Sequence, residues 1–79
     1  MEARHLRYAI ALAEQQHFGR AAKAIGIAQP PLSKQIAALE SELGTRLFDR
    51  TPRGAFPTAA GEAFLARARR SLAEMAAAA

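Results

Sequence analysis

A chain of 79 residues, 51% of them hydrophobic, can bury one modest core, and a second folded domain does not fit. With no cysteine there is neither a disulfide framework nor thiol catalysis. Eleven Lys and Arg against seven Asp and Glu give a net charge of +4, the field of a protein that meets a polyanion, though charge of this size is not specific.

The N-terminal stretch Met1 to Arg7 is charged at positions 2, 4 and 7 and has no apolar run fit for a signal peptide or a membrane span, so a cytoplasmic protein without membrane contact is expected. From Arg4 to Glu14, Leu6, Ala9, Ile10 and Ala13 recur at the spacing of one buried helical face, which predicts a first helix. Phe18 and Gly19 read as an interruption. Arg20 to Ile25 follows as a short second helix closed by Gly26, a residue suited to the left-handed geometry of a helix end.

A third helix is expected from about Pro30 to Leu43, because prolines are tolerated in a first turn whose N–H groups lack helical partners. Leu32, Ile36, Leu39 and Leu43 form its apolar stripe, and Gly44 stands where a closing glycine belongs. Between Arg46 and Thr58 the pattern changes to Leu47-Phe48, the turn-forming Thr51-Pro52-Arg53-Gly54, then Ala55-Phe56 before Pro57, which predicts a small two-stranded hairpin. Thr58 is the expected N-cap of a last helix, in which Gly61, Leu65, Ala68, Leu72, Met75 and Ala79 alternate at spacings of four and three. That is a heptad seam able to pair two chains. A helix packing back on its own core is the alternative. The expected division is a domain over 1–58 and a linker or dimerisation helix over 59–79.

Two helices joined by the short turn around Gly26, with the small Ala22 at their contact, form a helix-turn-helix, whose second helix is offered to the major groove. Opposite the apolar stripe this helix shows Pro30, Ser33, Lys34, Ala37 and Ser41. Ser33 suits a base edge or a phosphate, Lys34 guanine acceptors or a phosphate, and Gln29 adenine. Glu40 and Glu42 lie in the last turns, where phosphate would repel them, so the N-terminal end should face the DNA. In the hairpin, Arg50 and Arg53 flank Pro52 and would grip phosphates or enter the minor groove, as a wing does. Each cation taken singly is as readily a solvated surface charge.

Arg4-His5-Leu6-Arg7-Tyr8, Arg20-Ala21-Ala22 and the run Ala28-Gln29-Pro30-Pro31-Leu32-Ser33-Lys34-Gln35-Ile36 resemble the opening of LysR-type transcription regulators. Leu39-Glu40, Glu42-Leu43-Gly44, Arg46-Leu47-Phe48-Asp49-Arg50 and Thr58-Ala59-Ala60-Gly61 continue the resemblance over nearly the whole chain. It implies a mainly α fold: a winged helix-turn-helix of three helices and a β-hairpin wing, followed by a long linker helix. It further implies a bacterial, nucleoid-associated regulator that dimerises through that helix by Leu65, Ala68, Leu72 and Met75. Tetramers in the full-length protein and a small-molecule inducer bound by a C-terminal domain outside this chain are implied too. By position, Gln29, Pro30, Ser33 and Lys34 look like the groove-reading set, Arg50 and Arg53 like wing contacts, and Pro31 like a backbone neighbour. Lys34 stands where the family often has arginine, and Gly19 where Ser or Thr usually starts the second helix, a weaker cap.

Double-stranded DNA with a pseudo-palindromic site is the expected partner, with half-sites one helical turn apart or a multiple of it. Two other readings stay open: a winged helix that meets another protein, and a sequence-indifferent DNA-coating protein. An enzyme is not expected. His5 and His17 are the only histidines, lie on different elements and suggest no metal site, and neither a phosphate loop nor a carboxylate pair is present. No cofactor is implied.

Overall fold

In the computed structural model, which describes residues 1–78, the chain forms α1 (Ala3–Gln15), α2 (Phe18–Ile25), α3 (Gln29–Leu43), β1 (Phe48–Thr51), β2 (Gly54–Pro57) and α4 (Ala59–Ala78). The strands pair antiparallel with Phe48 opposite Pro57 and Thr51 opposite Gly54, leaving Pro52 and Arg53 as a two-residue tip. Three helices, a hairpin and a long terminal helix make this a winged helix-turn-helix, as the sequence predicts.

The second helix starts earlier than its apolar pattern suggests. Phe18 and Gly19 belong to its first turn, and the cap is His17 in extended conformation (φ −156°, ψ 125°), whose Nδ1 accepts the Arg20 N–H at 3.3 Å. Gly19 is therefore not a weak cap but an ordinary helical position beside the His17 ring. The third helix likewise begins one residue before Pro30, with Ala28 as its N-cap.

Leu12, Leu32, Ile36, Leu39, Leu47, Phe48 and Leu65 form the core, with Ala9, Ala21, Ala22 and Ala55 filling the close approaches between elements. Burial of these side chains is the dominant stabilising term, about 1.5–3 kcal/mol for each large one before the entropy of ordering is set against it. α1 is the hub, packing on α2, α3, α4 and β2. Leu43 departs from the expected stripe: its spacing is right, but the helix has run past the core there and the side chain is 38% exposed.

Two joints fasten the hairpin. The Ala55 N–H donates to the carbonyl of Gln16 at 3.0 Å, and Gln16 is the only non-glycine residue with positive φ (59°) among the described residues. Gly54 lies so close to that carbonyl that a Cβ would collide with it. At the other end the Thr58 N–H donates to the Leu47 carbonyl at 2.9 Å, the Thr58 hydroxyl donates to the Arg46 carbonyl at 2.7 Å, and its oxygen accepts the Gly61 N–H at 2.9 Å. Thr58 thus caps α4 as expected, and a Cβ on Gly61 would strike the Leu47 carbonyl.

The terminal seam divides. Gly61, Leu65 and Ala68 are buried against the chain's own core, so the self-packing alternative holds for this half of the helix. Leu72 is half-buried and Met75 is 47% exposed. Ala79, the last expected seam position, lies outside the described residues.

Candidate nucleic-acid interface

The exposed side of α3 begins at its N-terminus. Gln29, Pro30, Pro31, Lys34 and Ala37 face solvent, Ser33 is half-buried, and Leu32, Ile36 and Leu39 turn inward. Pro30 and Pro31 have a second effect. They carry no N–H, so two of the donors that a helix start usually offers to an anion are missing here. The polar groups this end exposes are therefore mainly the Gln29, Ser33 and Lys34 side chains, set beside the apolar proline rings. No acidic residue lies in the first turn.

The wing tip is rigidly made. The Thr51 hydroxyl donates to the Gly54 carbonyl at 3.2 Å and its oxygen accepts the Arg53 N–H at 3.1 Å, closing the turn from both sides. Arg53 stands exposed at the tip, and neither Arg53 nor Lys34 has a carboxylate partner among the described residues. Arg50, the other expected wing contact, has partners within the chain. Its Nη2 lies 3.5 Å from Glu40 Oε1 and its guanidinium sits 5.1 Å from the centroid of the Phe18 ring.

A cleft of about 260 Å³ separates the start of α3 from the wing, lined by Gln29, Ser33, Arg50, Thr51, Pro52 and His17 among others. Three of the expected contact residues, Gln29, Ser33 and Arg50, are brought together there. Pro30, Pro31 and Lys34 lie outside it on the helix, and Arg53 projects at the tip. The sequence reading missed His17 and Thr51 as members of this wall and Glu40 as a buried-side acceptor. A histidine before Phe-Gly offers little local sign of a cap, because the capping atom is a ring nitrogen rather than a short side-chain oxygen.

Glu42 pairs with the N-terminal amine at 3.4 Å, and His5 Nδ1 accepts the Glu2 N–H at 3.0 Å, which makes His5 a local helix-start contact. No group of His, Asp and Glu able to hold a metal ion occurs among the described residues, and no helix there is long and apolar enough to cross a membrane. Of the four expected pairing residues, Leu65 and Ala68 are closed off by their own domain, while Leu72 and Met75 remain accessible. Along α4, Ala60, Phe64, Arg67 and Ala68 join Met1, Leu6 and Leu43 around a mostly apolar groove of about 530 Å³.

Residues 3–62 match the family of bacterial regulatory helix-turn-helix proteins described as lysR. The chain is 57% identical over 72 residues to an uncharacterized HTH-type transcriptional regulator, YnfL, of Escherichia coli (strain K12), covering 91% of this chain and 24% of that protein. It is 62% identical over 64 residues to the HTH-type transcriptional regulator BudR of Klebsiella aerogenes, covering 81% and 45% respectively. The chain therefore spans between a quarter and a half of the length of these relatives. Among solved structures it is similar to the CbnR DNA-binding domain in complex with DNA, with a TM-score of 0.95 and 46% identity over 99% of this chain and 90% of that one.

Proposed function

The chain belongs to the lysR family of bacterial regulatory helix-turn-helix proteins, and from that premise we propose that it binds double-stranded DNA sequence-specifically, as one half of a dimer in a transcription regulator. α3 enters the major groove N-terminus first. Gln29, Ser33 and Lys34 meet base edges and nearby phosphates, Pro30 and Pro31 supply apolar contact, and Arg53 at the wing tip takes phosphate or the minor groove. Arg50, with one nitrogen already on Glu40, contributes through its remaining N–H groups. The observation that carries this reading is the cleft that brings Gln29 and Ser33 of α3 beside the wing residues Arg50, Thr51 and Pro52, with Arg53 exposed at the adjoining tip.

The relatives whose structures carry DNA, CbnR among them, support the same assignment for this chain. Pairing is assigned to α4 through Leu72 and Met75, with Leu65 and Ala68 supporting the helix from inside. The division of roles at residue 58 is thus one in which α4 serves both the fold and the dimer. Tetramers, response to a small inducer and a cytoplasmic place of action belong to the same proposal, the first two through parts of the protein beyond this chain.

Selection of duplexes from a random pool at near-physiological salt tests the reading. Enrichment of a spaced inverted repeat supports it; salt-sensitive binding without enrichment supports a sequence-indifferent binder; and no binding supports a protein-interaction module. On the enriched duplex, Arg53→Ala should weaken binding to all sequences alike and reduce the slope of log K against log salt by about 0.9, one phosphate. Ser33→Ala should change base preference more than overall affinity. Equal effects of both variants on enriched and random duplexes would defeat the assignment of roles.

A further inference from the structure

Glu40 sits in the last turn of α3, two turns beyond Ser33, and its carboxylate has three partners. Oε2 accepts the Leu47 N–H at 2.8 Å and the Phe48 N–H at 3.2 Å, the two backbone groups at which the chain enters β1. Oε1 faces Arg50 Nη2 at 3.5 Å, and the Arg50 guanidinium in turn covers the ring of Phe18, the first residue of α2. The Glu40 side chain is 13% exposed, against 39% for Arg50. One carboxylate therefore ties the third helix to the root of the wing and, through Arg50, to the start of the second helix.

A fixed root matters to sequence discrimination. Phosphate contacts carry no sequence information themselves, but they set where the reading helix lies on the duplex. If the wing could swing relative to α3, a mismatched base would be accommodated by a small shift of the helix while Arg53 kept its phosphate. With helix and wing in one rigid frame, the base contact and the phosphate contact must be satisfied together, and a wrong base loses part of both.

We propose that Glu40 is a specificity-determining positioning residue, which fixes the angle between recognition helix and wing through Leu47, Phe48 and Arg50. The proposal rests on the DNA reading above. It is tested by measuring the affinity of the chain for the duplex it enriches and for a shuffled duplex of the same composition, at a temperature where each variant is folded. Glu40→Ala should lower the ratio of the two affinities about tenfold, the discrimination of one good base contact, through weaker binding of the enriched duplex. Binding of the shuffled duplex should hold or tighten, because a negative charge has gone. Glu40→Gln keeps the reach and an acceptor oxygen and should recover most of the ratio. Glu40→Asp keeps the charge but shortens the reach by one methylene and should lose it, which carries the test if Glu40→Ala does not fold. Loss of both affinities by the same factor, or an unchanged ratio in the Ala and Asp variants, overturns the proposal. Failure of the unmodified chain to discriminate the two duplexes overturns the DNA reading and the proposal with it.

Discussion

The two halves of the terminal helix share one heptad register yet do opposite things. From Ala59 to Ala68 the seam residues Gly61, Leu65 and Ala68 are buried where α4 packs on α1 and β2. From Arg69 onward, among the described residues, only Leu72 is half-buried, and Met75 is exposed. A heptad pattern thus fixes which side of a helix is apolar and leaves open what that side meets. Here the first stretch meets its own domain because Thr58 and Gly61 bring the helix start against Leu47, and the second has moved beyond the domain's reach.

If the halves differ in this way, substitutions along one seam should divide into those that change folding and those that change association. The largest effect is expected for Leu65→Ala, a loss of about 2–5 kcal/mol for a fully buried leucine, seen as a fall in Tm that persists at every chain concentration. A smaller but still unimolecular loss, about 1–3 kcal/mol, is expected for Gly61→Ala, whose new Cβ meets the Leu47 carbonyl; chemical denaturation at two chain concentrations checks it. Met75→Glu should change the stability of the folded monomer by no more than about 0.5 kcal/mol while moving sedimentation toward the monomer and removing any dependence of Tm on concentration. A Met75→Glu chain that unfolds like Leu65→Ala would erase the contrast, and a Leu65→Ala chain that simply dissociates would reverse it.

The sequence made the hydrophobic periodicities and turn residues legible, and with them four helices, the hairpin and the Thr58 cap. Most of what it hid has a common physical cause, namely partners that only the fold brings together. Glu40 reads locally as an acid that phosphate would repel, because nothing near it announces that the N–H groups of Leu47 and Phe48 fold back onto it. The contacts of Arg50 within the chain are hidden for the same reason, its ring partner Phe18 being thirty-two positions earlier. Leu65 and Ala68 carry the right spacing for pairing but are occupied by a core that spacing cannot see. The start of α2 failed locally instead, since His17 caps with a ring nitrogen and Phe18-Gly19 looks like a break. The placement of Gln29 and Ser33 at the start of α3 is legible because a single helix sets it, whereas the cleft they share with Thr51 and Pro52 depends on how the wing docks.

The joint between Gln16 and the hairpin has a consequence for how such chains diverge. Gln16 holds a left-handed backbone that ordinary residues adopt at a cost of about 1–2 kcal/mol, and its carbonyl occupies the space a side chain at position 54 would need. Positions 16 and 54 therefore cannot drift independently: relaxing the backbone at 16 would withdraw the acceptor from Ala55, and adding any side chain at 54 would push the same carbonyl away. The Pro52–Arg53 tip carries no such joint, so the wing can be lengthened there in descendants of this sequence while its root stays the same.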